Sequence, residues 1–190
     1  TGILMFLAAD WMFSLLTPDP AIRELGAYVL RIEAFAEPLF AVSIVATGAN
    51  AANPHAVPGV AMLEAGQCVV LDFGAKSYGY CSDMTRTVFV GEPDSQLRAA
   101  WDAVRAANEA VEAMLRPGVT GKEAHERAEA VLAEGGFAGA MGHGLGHGVG
   151  LEIHEEPVLS LRNEEPLVAG NVVTVEPGIL LQDLQAYVEG

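Results

Sequence analysis

Asp72 and Asp83 lie in the stretch VVLDFGAKSYGYCSDMTRTVFV, residues 69–90, one on each arm of what reads as a β-hairpin. Residues 69–73 are a short β-branched run and residues 81–90 a second. Lys76, Ser77, Tyr78 and Gly79 read as the turn, with Gly79 taking the positive φ. A turn centred between Ser77 and Tyr78 sets Asp72 opposite Asp83. Like charges directly opposed on a sheet face repel, and one or two divalent cations between them would relieve that repulsion. An isolated pair of aspartates would more often mean a register slipped by one, with one carboxylate in solvent. The other chemistry-bearing residues reverse those odds.

Residues 142–157, GHGLGHGVGLEIHEEP, hold His143, His147 and His154, three of the five histidines. The glycines admit close approach of backbone and substrate. So many imidazoles in so short a stretch point to metal binding or catalysis rather than core packing. Leu151, Ile153 and the residues beyond read as strand. Residues 171–180, NVVTVEPGIL, read as a buried strand in which Glu176 interrupts an apolar face. A carboxylate buried there must be paired or bound to a metal, unless the strand ends early and Glu176 is solvated. Residues 184–190 read as a last strand carrying Glu189. Asp72, Asp83, His147, Glu176 and Glu189 form a hard, oxygen-rich ligand set that suits manganese, cobalt, iron(II) or zinc. Two ions sharing bridging carboxylates would neutralise the cluster.

The elements that must carry these residues are legible too. Residues 94–116 read as an amphipathic helix, with Leu97, Trp101, Val104, Val111 and Leu115 on one stripe. Asp94 or Ser95 caps it, and Pro117-Gly118 ends it. Thr120 caps the next helix with Glu123 three residues on, a capping box, and Gly135-Gly136 closes it. Both read as scaffold over one sheet face. Residues 1–16 are almost wholly apolar and read as helix, just short of the roughly 17–25 residues that cross a bilayer. Thr17-Pro18-Asp19-Pro20 breaks the chain, and a second helix is expected from 21 to 46, apolar in its second half. Residues 47–59, TGANAANPHAVPG, are rich in turn formers. They contain His55, a lone loop histidine that is more often merely exposed.

The chain has 190 residues, is 51% hydrophobic and carries a formal net charge of −15. That suits one ordinary domain, or a small domain with an appendage. So acidic a chain lacks the basic footprint that nucleic acid requires. Cys68 and Cys81 flank one hairpin and form no disulfide framework. With no basic-started leader, a reducing, cytoplasmic setting is expected for the globular part. Membrane association through residues 1–46 is an open expectation, as is a homodimer.

Two resemblances add to this reading. LLTPDPAIRELGAYVLRIEAFAEPLFAVSIVATGA resembles a segment of a multidrug and toxin extrusion transporter, in its TPDP break, its YVLRI and EPLFAVS stretches and its closing TGA. That would make residues 1–49 a transporter-like apolar segment. It would not imply transport, because that family needs about a dozen helices. From about residues 48–50 to the end, the chain resembles the pita-bread metallopeptidases: methionine aminopeptidase, aminopeptidase P and prolidase. DFGAKSYGYCSDMTRTVFVG matches the motif of the first two ligands, HGLGHGVGLEIHEEP the histidine motif and VVTVEPGI the strand of the next ligand. The histidine wording, and NAANPHAVPG before it, resemble the Xaa-Pro branch most.

The resemblance implies an α+β fold: an incomplete pita-bread domain over residues 50–190, an antiparallel sheet covered by helices, preceded by two apolar helices. It implies that Asp72 chelates one ion, Asp83 and Glu189 bridge two, and His147 and Glu176 complete the second. His154 would contact the substrate amide and steady the oxyanion, Glu176 would shuttle the proton, and His55 and His143 would line the substrate pocket. The substrate implied is a peptide cleaved near its N-terminus, ahead of proline. The context of Glu189 departs from the family pattern: Gln185, Ala186, Tyr187, Val188, Glu189 and Gly190 stand where Gly-Val-Arg-Ile-Glu-Asp is usual. The helices of the fold's first half are also missing, so the chain reads as a chimera or a fragment cut at both ends, joined near residues 46–53. The alternatives are an inactive binding module of the same fold and a membrane-protein fragment defined by residues 1–49. Metal content and a need for detergent separate the three.

Overall fold

The computed structural model describes residues 7–11, 14, 20, 24, 27, 31, 42–52, 62–181 and 186–189. Residues 7–11 are helical, as are 14, 20, 24, 27 and 31. Ala9 and Ala27 are buried, and Asp10 pairs with Arg31. The rest of the two expected apolar helices lies outside the described residues. Among the described residues, no helix is long and apolar enough to cross a membrane.

The second helix does not reach residue 46. Val42–Thr47 is a strand, β1, followed by a 3-10 helix at Gly48–Ala52. Val42, Ile44, Val45 and Thr47 are β-branched, which disfavours helix and suits a pleated surface. β1 pairs antiparallel with β2, Cys68–Gly74, and β2 pairs antiparallel with β5, Met84–Phe89. β2 is therefore the central strand, which explains its unbroken apolar start: Cys68, Val69, Val70 and Leu71 are all buried. Val69 and Leu71 face a cluster with Val90, Val45, Phe73 and Val88. Cys68, Val70 and Asp72 point the other way, by the alternation of a strand.

Between β2 and β5 the hairpin continues through β3, Lys76–Ser77, and β4, Tyr80–Cys81. Its turn is Tyr78-Gly79, with φ of 51° and 89°. Both values are positive, as a two-residue hairpin turn of the primed type requires. The turn is thus centred one position later than expected. Asp72 pairs with Thr85 rather than Asp83. The face survives the change. Moving the turn by one position moves every opposed partner by two, so Asp83 and Asp72 remain on one side as diagonal neighbours.

Asp94 caps α1, Ser95–Glu112, its carboxylate accepting the Gln96 and Leu97 N–H groups at 2.8 Å. The helix ends at Glu112, before the expected 116. Thr120 caps α2, Gly121–Glu134, through the expected capping box with Glu123. Leu97, Ala100, Val104, Ala107 and Val111 form the buried stripe of α1, and Ala124, Ala128 and Leu132 that of α2. These stripes pack on Leu145, Leu159, Ile179 and Val188, all fully buried. The last three belong to β7 (Glu155–Leu159), β8 (Gly178–Leu181) and β9 (Ala186–Glu189). Residues 151–154 bend, so strand begins at 155 rather than at Leu151. β6, Gly146–Gly148, pairs antiparallel with β7.

The glycines of the histidine stretch have specific work to do. A Cβ on Gly146 would overlap the Thr174 carbonyl, and one on Gly148 would overlap the Glu156 carbonyl. Gly142, by contrast, has open space where its Cβ would be. Gly146→Ala is expected to lower stability by about 2 kcal/mol, while Gly142→Ala stays within about 0.5 kcal/mol of wild type. Urea unfolding measures both, and equal effects would contradict this packing.

Candidate metal centre

Four strand segments meet at the site. β2 supplies Asp72. Asp83 stands immediately before β5 on the same face. His147 is the middle residue of β6, and Glu176 lies in the extended segment leading into β8. β6 and that segment are held antiparallel. The Thr174 N–H donates to the His147 carbonyl at 2.8 Å, and the Glu176 N–H donates to the Leu145 carbonyl at 2.7 Å. His147 therefore opposes Thr174, and Glu176 is its diagonal neighbour on the same face. Asn108 of α1 steadies the segment by donating to the Val175 carbonyl at 2.8 Å.

The His147 ring is oriented by its own backbone. Nδ1 lies 2.9 Å from the Gly148 carbonyl, which assigns the Nδ1 proton and leaves the Nε2 lone pair outward. That lone pair faces acid: Nε2 lies 3.2 Å from Glu176 Oε1 and 3.6 Å from Asp83 Oδ2. The Glu176 contact is close but not directed as a hydrogen bond, and Oε1 is buried without a hydrogen-bond partner. A lone pair facing carboxylate oxygens is repulsive unless a proton or a cation stands between them. The orphaned Glu176 oxygen fits a cation there.

The electrostatics agree. Asp72 is pushed up from 3.8 to about 6, by burial first and then by the charges of Asp83 and Glu176, against His147. Asp83 is raised by burial and by Glu176. His147 is raised chiefly by its contact with Glu176, against burial. Burial raises Glu176, but His147, the Thr174 hydroxyl and the charge of His143 outweigh it, and its net shift is downward. Burial first, and then the charges of Asp83 and Glu176, disfavour the ionised form of Asp72, and a countercharge at the cluster would favour it.

His154 stacks edge-on against His147, with ring centroids 4.3 Å apart. Asp83, His147 and His154 each offer a ligand atom within 4.8 Å of one another. Opposite ligands of one divalent ion are about 4.2 Å apart, so small side-chain movements would close this set. His154 was expected to serve the substrate, and its place in this group is new. His143 is exposed, its Nδ1 2.7 Å from the Gly144 carbonyl. Glu189 is half-buried at the end of β9, and it pairs with Gly178, two residues beyond Glu176. His55 lies outside the described residues. Two threonines escaped the sequence reading. Thr174 accepts the His147 N–H at 3.0 Å, and Thr87 bonds the backbone of Glu189. The one clue was a hydroxyl inside an apolar strand, as in VVTVE.

A sequence profile of metallopeptidase family M24 matches residues 8–189, and the chain belongs to that family. Divalent metals are the family's cofactors, and the cluster around Asp83 and His147 is where this chain could hold them. The chain is 38% identical over 162 residues to an Xaa-Pro dipeptidase of Pyrococcus horikoshii, covering 84% of this chain and 46% of that one. The structure of an X-Pro aminopeptidase from Thermotoga maritima matches with a TM-score of 0.77 and 33% identity, over 99% of this chain and 54% of that one. The prolidase of Pyrococcus furiosus matches with a TM-score of 0.76 and 35% identity, over 97% of this chain and 56% of that one. The chain thus spans about half the length of these relatives. The M24 match runs through residues 8–49 as well, so the transporter resemblance does not stand, nor does a chimera of two families.

The crowding makes a sign prediction. The folded pKa of Asp72 lies above its ordinary value, so the stability this group contributes is full below about pH 4 and is lost as pH rises through about 6. In chelator at pH 7.5, Asp72→Asn should therefore be more stable than wild type, by about 1 kcal/mol after discounting for its partial exposure. A less stable variant in thermal unfolding would contradict the repulsive cluster.

Proposed function

We propose that this chain is the catalytic part of a dinuclear metallopeptidase that hydrolyses the peptide bond ahead of proline near the N-terminus of its substrate. The observation that carries the reading is the His147 Nε2 edge set against Glu176 and Asp83, with one Glu176 oxygen buried and unbonded. The preference for proline rests on the relatives, an Xaa-Pro dipeptidase and an X-Pro aminopeptidase among them.

In this reading Asp72, Asp83, His147, Glu176 and Glu189 would hold two divalent cations. The cations supply Lewis acidity, which brings the ionisation of water toward neutral pH and polarises a carbonyl. The chain's own residues do the rest. Glu176 is the base in this reading. It takes the proton of the attacking water and delivers it to the departing proline nitrogen. His154 is exposed beside His147, where an imidazole N–H can donate to the oxygen on which charge develops. His143 and His55 would be the substrate-binding histidines.

The purified chain, stripped with chelator, should have no activity on an Xaa-Pro dipeptide and regain it with manganese or cobalt. Asp83→Ala should neither bind nor respond. His154→Ala separates two roles. A substrate-facing His154 predicts unchanged metal uptake and turnover slowed by at least about a hundredfold. Loss of metal instead would make His154 a ligand, and unchanged turnover would remove it from the mechanism.

A further inference from the structure

Glu189 has the weakest local support among the candidate ligands. β9 is four residues long, and among the described residues its backbone ladder runs only to β8. The carboxylates it must join are Asp72, in the separate β1–β2–β5 sheet, and Asp83, just before β5. The side chain of Thr87 crosses that gap. The Thr87 hydroxyl donates to the Glu189 carbonyl at 2.5 Å and accepts the Glu189 N–H at 3.1 Å. Both backbone groups of one residue are bound by one oxygen, so position along the strand and rotation about it are set together.

Thr87 is placed for this. It pairs with Val70, two residues along β5 from the Thr85–Asp72 pair. Residues two apart on a strand share a face and are about 7 Å apart. Thr87 therefore stands on the face that carries Asp72 and Asp83, one step further in. Its side chain is buried, and a buried hydroxyl needs partners. Glu189 supplies both. On its other side Glu189 pairs with Gly178, just beyond Glu176. The backbone of Glu189 is thus pinned between β5 and the strand that follows Glu176.

We propose that Thr87 is a positioning residue for the metal centre: its hydroxyl fixes Glu189 so that the carboxylate can serve both cations. The inference rests on the dinuclear reading above. It also accounts for how Glu189 is held although its neighbours depart from the family wording.

The test is manganese titration by calorimetry of the wild-type chain, Thr87→Val, Thr87→Ser and Glu189→Gln, beside thermal unfolding and the split of kcat from KM on an Xaa-Pro dipeptide. Thr87→Val should weaken the second ion by about 10–100-fold, leave the first ion unchanged and lower kcat with little change in KM, as Glu189→Gln does. Thr87→Ser keeps the hydroxyl and should stay within about threefold of wild type. A Thr87→Val chain that unfolds earlier but binds both ions as wild type does would make Thr87 merely structural and overturn the inference alone. A wild-type chain that takes up fewer than two ions would overturn the dinuclear reading and this inference with it. Should valine not fit, Thr87→Ala against Thr87→Ser makes the same comparison.

Discussion

Two acidic side chains, Glu176 and Asp83, stand against one edge of one imidazole, with the raised Asp72 carboxyl coupled to them, and the rest of the structure serves to hold them there. Two like charges about 4 Å apart near a protein surface repel by about 4 kcal/mol, a large share of the net stability of a domain. His147 does not relieve this by itself. Its Nδ1 proton is committed to the Gly148 carbonyl, so it turns a lone pair toward Glu176 and Asp83. A proton or a cation must stand at that edge. Glu176 favours a proton on His147 in the metal-free chain, and a hard divalent ion satisfies the same oxygens with more charge.

The scaffold works against that repulsion with apolar packing and close backbone approach. β2 is buried on both faces over its first four residues, which fixes it in the middle of its sheet and leaves Asp72 at the end where the burial thins. Gly146 and Gly148 let β6 press against the Thr174 and Glu156 backbones. That pressure aligns His147 with Glu176. Hydroxyls add to these backbone bonds: Thr174 reinforces the join of the Glu176 segment to His147, and Thr87 ties β9 to β5. α1 and α2 close the far side through alanine-rich faces that allow close contact. Asn108 carries the grip of α1 through to Val175.

Much of this was legible in the residues. The helix caps at Asp94 and Thr120 are local chemistry, and local chemistry survives folding. The shared face of Asp72 and Asp83 was also legible, although their opposition was not. The turn falls at Tyr78-Gly79, where both residues take positive φ, and the even displacement kept the carboxylates on one side. Residues 42–47 misled because an apolar run of this length has no period that separates helix from strand. Its β-branched composition was the better guide. The joins made by Thr87 and Thr174 depend on which strands come to lie side by side, and spacing along the chain does not carry that. His154 beside Asp83 is of the same kind, brought close by the bend at residues 151–154.

The central claim is that cations occupy the acidic edge of His147. Anomalous diffraction from crystals of the chain grown with manganese tests it most directly. The account predicts two peaks, one within bonding distance of His147 Nε2 and Glu176, the other of Asp72, with Asp83 reaching both. No peak at that edge, with the Asp72 carboxyl group instead hydrogen-bonded to its acidic neighbours, would contradict it.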